Sequence, residues 1–174
     1  PQDSDLGLNI ATASGDVNVD VISNDITCTT SSGDVNITTQ SNNVNVNTAS
    51  GDVQVSKCKK EIYVNTVSGD VKVNSENPEI TVNTVSGDIE IDVNENKDLN
   101  VRGVSSDINI HIKEKKGSIE LRTVSGEIQI DSYYKDSSKK ISKSHDQSFS
   151  NDEIEISAAT VSGDITVDLS LIHI

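Results

Sequence analysis

Apolar and polar residues alternate with a period of two along almost the whole chain. Val35 and Ile37 are followed by Val44 and Val46, Val71 and Val73 by Ile80 and Val82, and Ile108 and Ile110 by Ile119 and Leu121. Strict alternation is the mark of a strand with one buried face. The 3.6-residue rhythm of a helix is absent throughout. Each unit therefore reads as two short strands, the second starting nine residues after the first, with a turn after each.

These units are copies of one another. The octet "TASGDVNV" at 12–19 returns as "TSSGDVNI", "TASGDVQV", "TVSGDVKV" and "TVSGDIEI", then as "GVSSDINI", "TVSGEIQI" and "TVSGDITV". Its glycine falls at Gly15, Gly33, Gly51, Gly69, Gly87, Gly126 and Gly163, with Ser106 in the glycine's place between the fifth and sixth. The first four steps are 18 residues, and the next are 19, 20 and 37. A fixed period of this length signifies stacked units, none able to bury its apolar face alone. Hairpins would reverse every second copy and misalign identical corners, whereas coiling keeps equivalent strands parallel. The expected fold is all-β: a single-stranded parallel β-helix, or β-solenoid, of about eight 18-residue rungs forming one domain over 1–174. At ~4.8 Å per rung the rod is roughly 35–40 Å long. The crossover rule favours a right-handed coil.

The repeated Gly-Asp reads first as a corner. Glycine admits the positive φ of a sharp turn, and Ser and Asp beside it can bond turn amides. Thr12, Thr30, Thr48, Thr66, Thr84, Thr123 and Thr160 share the inward parity, so a methyl can pack while the hydroxyl bonds backbone. Asp16, Asp34, Asp52, Asp70, Asp88, Asp107, Glu127 and Asp164 then form an acidic ladder. Neighbouring carboxylates ~4.8 Å apart repel by about 0.9 kcal/mol in water, which amide hydrogen bonds or weakly held cations could offset. Calcium-binding solenoids carry a glycine-rich nine-residue repeat. Here a single Gly precedes each Asp and the second turn lacks the motif, so no metal site is expected.

Composition sharpens this picture. The chain has no Trp or Met, one Phe and three Tyr, so its core must be aliphatic. Its net charge of -14 argues against nucleic acid and anionic membranes as partners. Eleven of the 14 basic residues (Lys57, Lys59, Lys60, Lys97, Lys113, Lys115, Lys116, Lys135, Lys139, Lys140 and Lys143) fall in the turn opposite the Gly-Asp corner or in the insertion there. That insertion, 131–153, explains the 37-residue step and reads as a loop leaving the rod within one rung. It holds Tyr133, Tyr134 and Phe149, the candidate ligand-binding residues: aromatics beside lysines suit a protein or cell-surface glycan. The terminal "LSLIHI" reads as a last strand plus a cap, or as an end suited to end-to-end self-association.

Candidate chemistry is sparse. His111, His145 and His173 have no Cys or His partner at metal-binding spacing. Cys28 faces inward and Cys58 sits in a turn on the opposite edge, so no disulfide is expected. No nucleophile–base pair and no phosphate-binding Gly-rich loop is recognisable. The expectation is a non-enzyme without cofactors. No run of 18 apolar residues or signal peptide is present, so no membrane span is expected. The chain starts at Pro1 without any Met, which reads as a processed or trimmed piece, and an anchor could have been lost with the missing part.

The tandem "TxSGD[VI]xV" units resemble a bacterial adhesin family of β-solenoid domains over roughly residues 6–172. The resemblance implies a non-catalytic module at the cell surface or extracytoplasmic envelope, and it supplies no catalytic motif. A more distant resemblance is to polymer-forming β-helices such as bactofilins, which implies a filament subunit as the alternative. A glycan-active β-helix enzyme is the third reading, although such enzymes have longer rungs and a groove built from loops.

Overall fold

The computed structural model describes residues 7–76, 78–96, 98–115, 118–134, 139–142, 147–151, 154–162 and 165–171. Side chains are described from 7 to 130, apart from 77, 96, 97 and 114–117. The strands are β1 (Leu8–Thr12), β2 (Val17–Val21), β3 (Asp25–Thr30), β4 (Val35–Thr39), β5 (Asn43–Ser50) and β6 (Val53–Ser56). Next come β7 (Glu61–Ser68), β8 (Val71–Ser75), β9 (Glu79–Asn83), β10 (Ile89–Asn96), β11 (Leu99–Arg102) and β12 (Ile108–Lys115). The last are β13 (Ile119–Ser125), β14 (Ile128–Tyr134), β15 (Lys139–Ser142), β16 (Gln147–Asn151), β17 (Ile154–Ser162) and β18 (Ile165–Leu171).

They form two sheets, ordered β1-β3-β5-β7-β9-β11-β13-β17-β16 and β15-β18-β14-β12-β10-β8-β6-β4-β2. Apart from β15 and β16, the chain alternates between the sheets and each strand pairs in parallel with its counterpart one repeat away. Val44 lies between Ile26 and Ile62, and Val35 between Val17 and Val53. Equivalent side chains thus stack in files, and the protein is an all-β parallel β-solenoid. The irregular steps do not disturb this register. Ile80 pairs with Leu99 and Leu99 with Ile119, while Val71 pairs with Ile89 and Ile89 with Ile108. Each extra residue therefore falls in a turn opposite the Gly-Asp corner.

The inward parity read from the sequence is the buried one. Val, Ile and Leu fill the core, and Ile and Leu are its largest fully buried side chains. Thr30, Thr48, Thr66, Thr84 and Thr123 are buried with them.

The 131–153 segment departs from the expectation of a loop that simply leaves the rod. The stack does continue across it, with Ile128 paired to Ile165 and Ile119 to Ile156. Within the segment, however, β15 pairs antiparallel with β18, and β16 antiparallel with β17. Lys139 and Lys140, expected in the loop of the insertion, lie in β15. The segment folds back along the last pair of parallel strands and occupies sheet edges that would otherwise be open.

Candidate functional site

The Gly-Asp corner is built by two repeated bonds. The first is local. The inward threonine hydroxyl donates to the carbonyl just before the glycine: Thr12 to Ser14, Thr30 to Ser32, Thr48 to Ser50, Thr66 to Ser68, Thr84 to Ser86 and Thr123 to Ser125, at 2.9–3.3 Å. The second runs between rungs. Each aspartate carboxylate accepts the backbone N–H of the acidic residue one rung on: Asp16 from Asp34, Asp34 from Asp52, Asp52 from Asp70, Asp70 from Asp88, Asp88 from Asp107 and Asp107 from Glu127, at 2.8–3.3 Å. The turn amides expected to bond these aspartates are thus those of the next rung. An ionised acceptor makes the stronger kind of hydrogen bond, and this bond opposes the repulsion within the ladder.

The glycines meet the expected demand and a second one that the sequence did not reveal. Gly15, Gly33, Gly51, Gly69, Gly87 and Gly126 have φ between 105° and 139°. From Gly33 onward a Cβ would also strike the preceding rung; at Gly69 it would lie 2.2 Å from the Gly51 carbonyl oxygen. Gly163 and Asp164 lie outside the described residues, as does the side chain of Thr160.

The Ser106 corner solves the turn differently. Ser106 does not take a positive φ, and its side chain is buried at 2% exposure. The threonine position of this rung is Gly103. A Cβ there would lie 2.7 Å from Ser106 Cβ. Glycine and side chain have exchanged places, and Ser106 fills the inward space that threonine occupies elsewhere. The exchange is imperfect, because Ser106 Oγ is buried without a partner.

The opposite turn has its own polar interior. Thr39 donates to the Val21 carbonyl at 2.6 Å and bonds Ser41, whose hydroxyl receives the Ser23 amide at 3.1 Å. One rung on, buried Cys58 takes the place of Ser41. Its thiol donates to the carbonyls of Asn42 and Glu61, and its amide donates to Ser75 Oγ. Both cysteines are free. Burial pushes both thiols above their ordinary range, against the lowering effect of backbone bonds at Cys58, so neither is poised as a thiolate nucleophile. Lys57, Lys59 and Lys60 project around Cys58, and Lys57 has φ 63°. Further along this edge, the Ser118 hydroxyl and amide hold the Asp98 carboxyl below its usual range.

Outside the core, the acidic ladder borders an open groove of about 570 Å³, lined by Asp34, Asp52, Asp70, Asp88, Glu90 and His111 among others. Lys72 bridges its floor to Glu90 at 2.8 Å, and both groups are exposed enough for the pair to contribute little stability. Among the described residues no group of three or more His, Cys, Asp or Glu is placed to hold a metal ion, and no helix is long and apolar enough to cross a membrane. Tyr133 and Tyr134 end β14, and Phe149 lies in β16. Their side chains are outside the described residues.

One feature escaped the sequence reading. The residue between Thr and Ser of the octet changes from Ala13, Ser31 and Ala49 to Val67, Val85, Val104 and Val124. These four valines are 44–55% exposed. The signal lay in the most variable position of the corner, which alternation alone marks as outward.

Stacked rungs, paired corner to corner, define the protein as a repeat-built parallel β-solenoid. The family model Toastrack DUF4097 matches residues 1–168, and the chain belongs to that family. No curated protein and no solved structure matches it.

Proposed function

We propose that this chain is a non-catalytic binding or structural module of the bacterial cell envelope, adhesin-like in presenting contact surfaces on a rigid rod. One observation carries the reading: the recurrent part of the repeat is occupied by folding. Thr bonds its own corner, Asp bonds the next rung, and Gly makes room for the rung before it. Recognition then falls to what varies between rungs, namely the outer files and the 131–153 segment. Tyr133, Tyr134 and Phe149 remain the candidate contacts, with a protein or a cell-surface glycan as partner. The filament alternative has less support, since antiparallel β15 and β16 stand where a further parallel rung would have to add.

The test is binding of the labelled chain to isolated bacterial cell walls and intact cells. The module reading expects saturable binding that is lost in the triple variant Tyr133→Ala/Tyr134→Ala/Phe149→Ala with an unchanged circular dichroism spectrum. Absence of binding by the parent chain, or release of products from a glycan panel, would overturn it.

A further inference from the structure

We infer that two copies of this chain associate side by side through the outer face of the β3-β5-β7-β9-β11-β13 sheet, with the valine file at the centre of the contact. Val67, Val85, Val104 and Val124 occupy four successive rungs and are 55%, 49%, 44% and 48% exposed. Bridges between Ser68, Ser86, Ser105 and Ser125 hold the adjacent backbone in register, so the valines stand in a straight row. Solvation does not call for such a row of β-branched apolar residues, and contiguous apolar surface marks an interaction site.

The neighbouring file is equally unusual for a chain of net charge -14. It carries Asn65, Asn83, Arg102 and Arg122, the last two being the only arginines in the sequence. Glu120 beside them is neutralised by Arg122 at 2.8 Å, with Arg102 at 3.8 Å. Apolar and arginine side chains are enriched in protein interface cores, and the other exposed carboxylates of this face, Asp25, Glu61, Glu79 and Asp98, lie at the far end of its strands from the valines.

Charge and spacing select the occupant. A cationic partner would be drawn to the Asp ladder and its groove, not to this face. An anionic polymer meets the same repulsion as a second copy but carries no row of apolar side chains to set against the valines. A second copy offers a row of identical pitch, ~4.8 Å, so that valine ridges interdigitate rung by rung. A two-fold axis parallel to the strands lays valine file on valine file with the rods antiparallel. Val85 then faces the other copy's Val104, Val67 faces Val124, and Arg102 faces Asn83, while in the flanking files the same axis sets Glu79 opposite Asp98 and Asp88 opposite Asp107, repulsion that salt must screen. Because the two rods repel at long range, association strengthens with salt, opposite to docking of a basic partner.

Sedimentation velocity over a concentration series, at about 0.01 M and about 0.15 M salt, tests this directly. The expected result is a monomer–dimer equilibrium that shifts to dimer at the higher salt and weakens about tenfold or more in Val85→Asp/Val104→Asp. A monomer at every concentration and salt overturns the inference, and so does a dimer unaffected by those substitutions in a folded protein. If the Asp variant loses its β-type spectrum, Val85→Thr/Val104→Thr, which keeps the β-branched shape, takes its place and must also weaken the dimer. For the antiparallel arrangement, a mixture of Val85→Cys and Val104→Cys chains should oxidise mainly to the mixed disulfide, because native Cys28 and Cys58 are buried. A statistical mixture of products contradicts it.

Discussion

Gly15 and Gly69 share a positive φ but not a neighbour. At Gly15, φ is 105° and a Cβ would meet nothing within 4 Å; at Gly69, φ is 131° and it would meet the Gly51 carbonyl at 2.2 Å. The two costs of a side chain can therefore be separated. Gly15→Ala should lose about 1–2 kcal/mol from left-handed backbone strain. Gly69→Ala should lose about 2–5 kcal/mol, because displacing backbone adds roughly 1–3 kcal/mol. Denaturant melts of the two variants compare them, and equal losses would mean that rung contact is unimportant. Gly103 and Ser106 allow a second experiment. Gly103→Thr alone should destabilise the corner by collision with Ser106, and adding Ser106→Gly should restore the common corner. A double-mutant cycle should show favourable coupling of about 1 kcal/mol or more, and additivity would refute the exchange. The sequence marked Ser106 as an exception but not Gly103 as its complement, because alternation says which way a residue points and not what fills its space.

At the scale of the strand and its turn, the Asp ladder is the element whose file the sequence showed without showing which turn's amides it bonds. A residue with an acceptor two atoms from its backbone can bond its own turn or a turn 18 residues away, and spacing within one octet cannot distinguish these. Stacking decides it: the Asp70 N–H lies 2.9 Å from Asp52 Oδ1. Asp70→Asn keeps an acceptor and removes one charge from a repelling file, so stability should be unchanged or slightly higher. Asp70→Ala should cost about 0.5–1.5 kcal/mol, the net value of a lost hydrogen bond. Equal melting of the two variants would remove the ladder from the account. Micromolar calcium should leave the melt of the parent chain in place; a large upward shift would reveal a native-state cation site.

For the whole molecule, the rod was legible because a period of two inside a period of 18 leaves one arrangement that buries every apolar file. The 131–153 segment was not legible, since it lacks the octet and its edge pairing depends on strands that follow it in the chain. Replacing 135–153 by a short Gly-containing turn should keep the β-type circular dichroism spectrum, because β14, β17 and β18 retain their parallel partners. It should also increase aggregation, since β17 and β18 lose the antiparallel strands along their edges. Loss of the spectrum would show that the segment belongs to the core. The account as a whole rests on the repeated corner being consumed by rung-to-rung bonding. Amide hydrogen exchange at Asp34, Asp52, Asp70 and Asp88 tests this most directly, because these residues are exposed yet their N–H groups are bonded across the stack. The account predicts exchange as slow as that of the buried strand amides; exchange at free-peptide rates while the strands stay protected would contradict it.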